Sequence, residues 1–224
     1  FGFFATSFPP FIGNPDLTPE RSEGWEAGLD QDLASGRAAF GVTYFNERLR
    51  NEIESFVFDP ATVSFTAINK DGTSHREGVE VTGTVTVTDA LQLRAHYTFL
   101  DATQPDVFGK QERELRRPRH IGGINLNYAF HGGRGNVNLN FAHTGDQRDL
   151  FFPPFPLPQA TVRLHAFNLV SVAGSWEVTR NITLFARVEN VLDDNYEEVY
   201  GFSSPGLAAF AGLRASLPAS LMAR

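Results

Sequence analysis

The sequence predicts an all-β protein, an antiparallel up-and-down barrel whose strands cross a membrane. Three observations predict it. The first is the alternation in the last two strands. Ile182, Leu184, Ala186 and Val188 take one face, and Thr183, Phe185, Arg187 and Glu189 the other. Ala209, Ala211, Leu213, Ala215 and Leu217 then oppose Phe210, Gly212, Arg214 and Ser216. Period two with one wholly apolar face is the code of a strand between lipid and a wet lumen. A soluble sandwich shares that code, with a core in place of lipid. The second observation separates the two. The connections alternate between short turns at 34–36, 88–90, 131–134 and 177–181 and long ones at 5–23, 102–118, 144–163 and 191–206, with Asp59-Pro60 the exception, a tight tip between strands that run beyond the bilayer. Short turns at one rim and long loops at the other are the outer-membrane pattern, and a sandwich has no reason to sort its connections this way. The third is that no apolar run approaches the roughly 18 residues of a membrane helix.

Taken in order, about ten strands are expected. Phe1–Phe4 ends one strand, and Ala5–Glu23 is a loop with four prolines. Trp25, Ala27 and Leu29 mark the next strand, which turns at Leu33–Gly36. A long strand starts at Ala38 and runs to about Phe58, where Asp59-Pro60 is a turn signal. The return from about Val63 passes Asn69, Asp71 and Gly72 and ends in the alternation of Val79 to Val87. Thr88-Asp89-Ala90 leads tightly into Leu91–Phe99, followed by a charged loop over Ala102–Pro118. Gly122–Phe130 and Val137–Phe141 form a hairpin around His131–Arg134. Thr144–Arg163 is a loop, Val170–Trp176 a strand, and Glu177–Asn181 turns into the closing hairpin.

The totals exclude several classes. A formal charge of -7 and a pI near 5.4 argue against a nucleic-acid binder. Cysteine is absent, which removes disulfides and thiolate metal sites. The six histidines form no HExxH or other metal spacing, and GxSxG is missing, so no enzyme, metal or cofactor is expected. Asn181-Ile182-Thr183 fits a glycosylation sequon but falls in a short turn and reads as chance. Twenty-one Phe against one Met and two Trp suit interfacial girdles. The chain opens FGFFATSFPPF with neither a basic start nor a small-residue cleavage site, as if in mid-strand. It is expected to be a piece of a longer secreted chain.

Four stretches carry a resemblance. NPDLTPERSEGWEAGLD (14–30), INKDGTSHREGVEV (68–81), ELRRPRHIGGINLNY (114–128) and VENVLDDNYEEVYGF with PG and AFAGLRASL (188–217) occur in that order. Together they resemble the C-terminal barrel portion of TonB-dependent outer-membrane receptors. The resemblance implies non-enzymatic uptake of a scarce chelate across the bacterial outer membrane, with an iron–siderophore first and cobalamin or haem next. It implies a barrel of about 22 strands with a plugged lumen. Residues 1–217 would then be a partial wall and 218–224 a tail. The N-terminal plug and the TonB contact would lie elsewhere in the parent chain. Other implied partners are outer-membrane lipid, lipopolysaccharide and the barrel-assembly machinery. A small porin-like or structural barrel without TonB coupling is the alternative.

The site candidates are loop residues. Arg113, Arg116 and Arg117, with Lys110 and Arg119 nearby, could attract an anionic chelate, or pair with loop carboxylates or lipopolysaccharide phosphates, the reading preferred here. Phe151, Phe152 and Phe155 could contact an apolar ligand or pack on neighbouring loops. Tyr200 belongs to the same long-loop rim. Arg94, Arg187, Glu189 and Arg214 are expected to form wall salt bridges facing the family's plug. Leu213 and Leu217 occupy the closing strand that the assembly machinery reads. Leu217 stands where the family has an aromatic residue, and Pro218 should stop the ladder, so this chain alone is expected to insert poorly.

Overall fold

The computed structural model describes residues 9–106, 108–154 and 157–216. The expected strand end at Phe1–Phe4, as well as Phe155, Leu217 and the tail 218–224, lie outside the described residues. The elements are β1 (Arg21–Leu33), a 3-10 turn (Ala34–Gly36), β2 (Ala38–Arg50), β3 (Ile53–Asp59), β4 (Ser64–Asn69), β5 (Thr73–Thr88) and β6 (Leu91–Pro105). They continue as β7 (Gln111–Arg113), β8 (His120–Phe130), β9 (Gly135–Thr144), β10 (Gln147–Phe151), β11 (Ala160–Leu164), β12 (Phe167–Thr179), β13 (Ile182–Glu189) and β14 (Ala208–Ala215). One sheet runs β1-β2-β5-β6-β8-β9-β12-β13-β14, with β7 beside β6; β3–β4 and β10–β11 are separate two-stranded sheets. Each long strand pairs with the next long strand in sequence, the order of an up-and-down wall.

The chain divides into two compact units. The smaller comprises the described residues within Phe1–Glu26, Phe45–Glu77 and Asp101–Glu114, and the larger those within Ala27–Tyr44, Gly78–Leu100 and Leu115–Arg224.

In the larger unit the register brings like faces together. Leu93, Leu126, Leu139, Val172, Val188 and Ala209 are successive cross-strand partners, giving one apolar row across six strands. Gln92, Asn127, Asn138, Ala173 and Arg187 form a row on the opposite face, and so do Arg94, Asn125, Asn140 and Ser171. A slip of one residue in any pair would swap these faces, so the alternation fixes the register. Asn125 and Asn138 exchange two amide hydrogen bonds of 3.0 Å diagonally across the polar face. The apolar face has no protein cover. Leu139 is 41% exposed, Leu184 48% and Leu213 66%, while the buried hydrophobic residues among those described are Ala67, Ala102, Leu164 and Phe167. A sandwich would bury these rows in a core, so the sandwich reading fails.

Aromatic residues edge the apolar face at both ends. At the long-connection end the Tyr97 hydroxyl meets Nδ1 of His120 at 2.7 Å, with Phe99 against the same imidazole. At the short-turn end Tyr128, Phe130 and Trp176 stack in series. From His120 to Phe130 the strand spans about 33 Å. At a tilt near 40° that is about 25 Å along the membrane normal, the height of a barrel's apolar band.

Two expectations about the elements need correction. The long strand from Ala38 to about Phe58 is two strands. Asn51 has a φ of 57°, a left-handed kink that ends β2 and starts a separate hairpin. Asp59-Pro60 lies at the tip of that hairpin, where Asp59 accepts from the Ala61 N–H and the Thr62 hydroxyl. Secondly, the loops at 102–118 and 144–163 carry structure of their own. β6 continues to Pro105 and pairs with β7, and β10 pairs with β11 from Gln147↔Leu164 to Phe151↔Ala160. The four short turns stand where the spacing puts them.

Candidate ligand-facing connections and polar wall

The long connections are held by side chains drawn from the sequence motifs. In the smaller unit, residues 10–20 lie along β4. Phe65 donates its N–H to the Pro10 carbonyl, and Ile12 donates to the Phe65 carbonyl. Asn14 donates to the Ala67 carbonyl at 3.0 Å. Asn69 joins two motifs: its Oδ1 accepts the Thr18 N–H at 2.8 Å, while its Nδ2 donates to the carbonyls of Thr18 and Asn51 at 2.9 and 2.7 Å. Below this, Lys70 is buried between Glu52 (3.3 Å) and Glu54 (3.4 Å), and the Ser74 hydroxyl donates to Glu52. A buried ammonium is tolerable only when paired in this way. Arg76 grips Glu114 with two parallel bonds of 2.8 and 2.9 Å, the fork geometry that makes arginine–carboxylate pairs directional.

In the larger unit Asp149 is the hub. It is 1% exposed and sits in β10. Its Oδ1 accepts from Arg116 Nε and the Leu150 N–H, and its Oδ2 accepts the Tyr200 N–H, each at 2.8 Å. Gln147 donates to the Glu198 carbonyl at 3.2 Å, and Arg116 donates its N–H to the Arg148 carbonyl. Three long connections are therefore tied to one carboxylate. Burial alone would raise the Asp149 pKa. The Tyr200 N–H, the Arg116 guanidinium and the Leu150 N–H outweigh it and hold the carboxyl below its ordinary value.

The β13–β14 connection has a second anchor. Asn190 adopts a φ of 48° and is 5% exposed. Its Nδ2 donates to the carbonyls of Asp194 and Pro205, and its Oδ1 accepts the Asp194 N–H. The Asp194 carboxylate accepts from the Asn168 N–H, and Tyr196 stacks on Phe167 at 4.3 Å.

Of the sequence-derived candidates, Arg116, Phe151 and Tyr200 are brought together around Asp149. Phe151 and Tyr200 meet edge to face at 5.4 Å. Arg116 pairs with a loop carboxylate, so its charge is compensated. Arg117 is exposed beside it, and Phe152 is 62% exposed. Arg113 is half-buried in the smaller unit at the end of β7, opposite Thr103. Leu213 lies in the apolar row with Leu184 and Trp176. Asp149 and Asn190 were missed as candidates. The signal available for Asp149 was its alternation with Arg148 and Leu150, and for Asn190 the NVLDDN cluster of turn-forming side chains.

The polar wall carries open depressions. One of about 540 Å³ lies among Thr82, Thr84, Arg94, His96, Asn125 and Asn140. Another of about 300 Å³ lies among Asn138, Ser171, Arg187, Glu189, Asn190 and Tyr196. Arg187 pairs with Glu189 at 3.2 Å and lies 4.5 Å over the Phe210 ring, as expected of a wall salt bridge. Among the described residues no group of three or more His, Cys, Asp or Glu could hold a metal ion, and no helix is long and apolar enough to cross a membrane.

A two-faced up-and-down sheet with short turns at one rim and built-out connections at the other defines the wall of an outer-membrane β-barrel. The family model described as "TonB dependent receptor-like, beta-barrel" matches residues 2–191, and the chain belongs to that family. Solved structures agree in fold. The pyoverdine outer-membrane receptor FpvA from Pseudomonas aeruginosa PAO1, bound to pyoverdine, superposes with a TM-score of 0.74 at 17% identity over 90% of this chain and 30% of its own. The ferric-catecholate import receptor Fiu from E. coli K12 gives 0.69 at 17% identity, covering 90% of this chain and 28% of its own. The copper transporter OprC gives 0.68 at 16% identity, over 93% and 34%. The chain thus spans about a third or less of the length of the structures it matches.

Proposed function

We propose that this chain is the C-terminal wall of an outer-membrane, TonB-dependent receptor that takes up a scarce nutrient chelate. An iron–siderophore is the first expectation, with cobalamin or haem next. The observation that carries the reading is the organised long-connection rim above a hydrophilic wall. In the larger unit the β10–β11 hairpin and the Asp149 hub give the long connections a defined shape, and a defined shape is what selective capture needs. Phe152, with Phe151 and Tyr200 behind it, offers an aromatic contact, and Arg117 a cation; Phe155 and Arg113 remain proposed contacts on the same footing. Energy coupling, plug docking and contact with TonB belong to the parent receptor. Assembly through the barrel-assembly machinery and an outer leaflet of lipopolysaccharide follow from the same proposal, with Leu213 and Leu217 in the strand that machinery would read and residues 218–224 as a tail.

The test is uptake by cells whose receptor carries this chain. Radiolabelled ferric siderophores, haem and cobalamin are supplied in turn to the parent strain, a receptor deletion and a TonB deletion. Loss of accumulation of one chelate in both deletions is the expected result. Passage of small solutes that survives loss of TonB would favour the porin-like barrel.

A further inference from the structure

The apolar face ends at the short turns in a cluster that the receptor reading does not use. Phe130, Gly135 and Trp176 are direct cross-strand partners in β8, β9 and β12. The two rings meet over the glycine, with centroids 5.7 Å apart. Tyr128 extends the stack at 5.9 Å, and the His131 ring lies 5.3 Å from the indole. Arg134, in the β8–β9 turn, places its guanidinium 5.5 Å from the Trp176 ring centroid. Its Nη2 donates to the carbonyls of Glu177 and Val178 at 2.9 and 3.2 Å. Those two bonds occupy both Nη2 hydrogens and hold the guanidinium in place, leaving the Nε–H and the Nη1 hydrogens as separate donors. Glu177 is the partner of Thr183 on the polar face, so its carboxylate does not share the apolar side with the fork. Asp89, in another short turn, is occupied by Arg37 at 3.4 Å.

We propose that this cluster is a binding site for the phosphate of an anionic phospholipid in the leaflet at the short-turn side. The inference rests on the membrane-barrel reading above. Indole and phenol rings at the end of an apolar band sit at headgroup depth. A cation held over such a ring presents its donors where the phosphates lie. The stack supplies a rigid apolar floor for the first acyl carbons, and the guanidinium supplies a charge-assisted donor to the phosphate. The Arg134 charge beside the rings favours a headgroup with net negative charge.

The test uses the intact receptor reconstituted in phosphatidylcholine vesicles, with acyl-brominated phosphatidylglycerol or acyl-brominated phosphatidylcholine added at equal mole fraction. Trp176 emission is taken as the difference from a Trp176→Phe protein. Brominated phosphatidylglycerol should occupy the site about fivefold more readily than brominated phosphatidylcholine, the scale of one interfacial cation acting on an anionic lipid. That preference should vanish in Arg134→Gln and survive in part in Arg134→Lys, which keeps the charge but not the pair of bonds to the Glu177 and Val178 carbonyls. Equal quenching by both lipids in the unmodified receptor, or an undiminished preference in Arg134→Gln, would overturn the site while leaving the barrel intact. Absence of quenching by either lipid would overturn the barrel reading and the site with it.

Discussion

Arg116 donates its Nε–H to Oδ1 of Asp149 at 2.8 Å, and the carboxylate that receives it is 1% exposed while Arg116 is half in solvent. The pair is therefore asymmetric. The guanidinium can be rehydrated if the bond is lost, whereas the carboxylate and the two backbone N–H groups it serves cannot. Both oxygens of Asp149 act only as acceptors. Asp149→Asn must turn an NH2 toward a donor whichever way the amide is flipped. Local stability of the β10–β11 hairpin and the β13–β14 connection should fall by about 1–3 kcal/mol. Hydrogen exchange at the Tyr200 and Leu150 amides measures this, and protection equal to the parent would refute the hub.

The same carboxylate sets a pH dependence. Its folded-state pKa is depressed, so its contribution is present above the unfolded carboxylate value and is lost as pH falls through the folded one. The Tyr200 amide should keep full protection at pH 5. Below about pH 4, where an unfolded aspartate begins to bind protons, protection should decline step by step. Loss between pH 7 and 5 would point to another group.

Depth along the apolar face can be read from substitutions to arginine. Leu126 stands between the Phe130 and His120 ends of β8, whereas Leu184 is the cross-strand partner of Trp176 in the rim row. Arginine at Leu126 should cost about 2–4 kcal/mol in a folding titration in lipid, and at Leu184 about 0–1 kcal/mol. Thr86, on the polar parity of β5, should tolerate arginine at a cost near that of Leu184. Asn138 is a poorer control, because replacing it also breaks its paired amide with Asn125. Equal losses at Leu126 and Thr86 would count against a lipid-facing row.

The wall was legible in the sequence because its physics is local. Lipid on one side and water on the other write a period of two into every strand, as in Leu91–Phe99 and Ile182–Glu189. The rim was less legible because its order comes from single side chains meeting across long separations. Asn69 finds Thr18 over 51 positions, and Asp149 finds Tyr200 over 51. No periodicity announces such contacts. The β10–β11 hairpin hid behind the Phe and Pro residues of 151–158, and the kink at Asn51 rested on a single turn-forming residue inside an otherwise strand-like run. Two stretches that suggested the family, NPDLTPE and INKDG, meet through Asn69. They work as fasteners of the rim, which explains their residue types without a ligand.

That fastening can be tested at Asn69 itself. Asn69→Ala removes four hydrogen bonds between residues 18, 51 and 69, two accepted by Oδ1 and two donated by Nδ2. Because the site is partly open to water, the local cost should lie near the low end, about 1–2 kcal/mol. Limited proteolysis between residues 9 and 20 should accelerate by roughly the matching factor. Unchanged cleavage would show that the Pro10–Phe65 and Ile12–Phe65 backbone bonds hold the segment unaided.

Gly135 offers the sharpest packing test. A Cβ built there would stand 2.4 Å from two carbons of the Phe130 ring. The ring covers the glycine, and any side chain must push it aside, away from Trp176. A flexible side chain could swing clear at small cost, but this ring is held between Tyr128 and Trp176. Gly135→Ala should therefore destabilise the barrel by about 1–3 kcal/mol, the usual cost of overpacking. The loss should exceed that of Gly174→Ala in β12, where the nearest atom lies at 3.6 Å. The two variants differ little in strand propensity, so their difference reports the ring. Phe130→Leu in the Gly135→Ala background should restore part of the loss, because the obstructing ring is gone. Measured by folding titration in lipid, Gly135→Ala and Gly174→Ala losing equal stability would show that Phe130 moves freely and that the aromatic rim is no rigid floor.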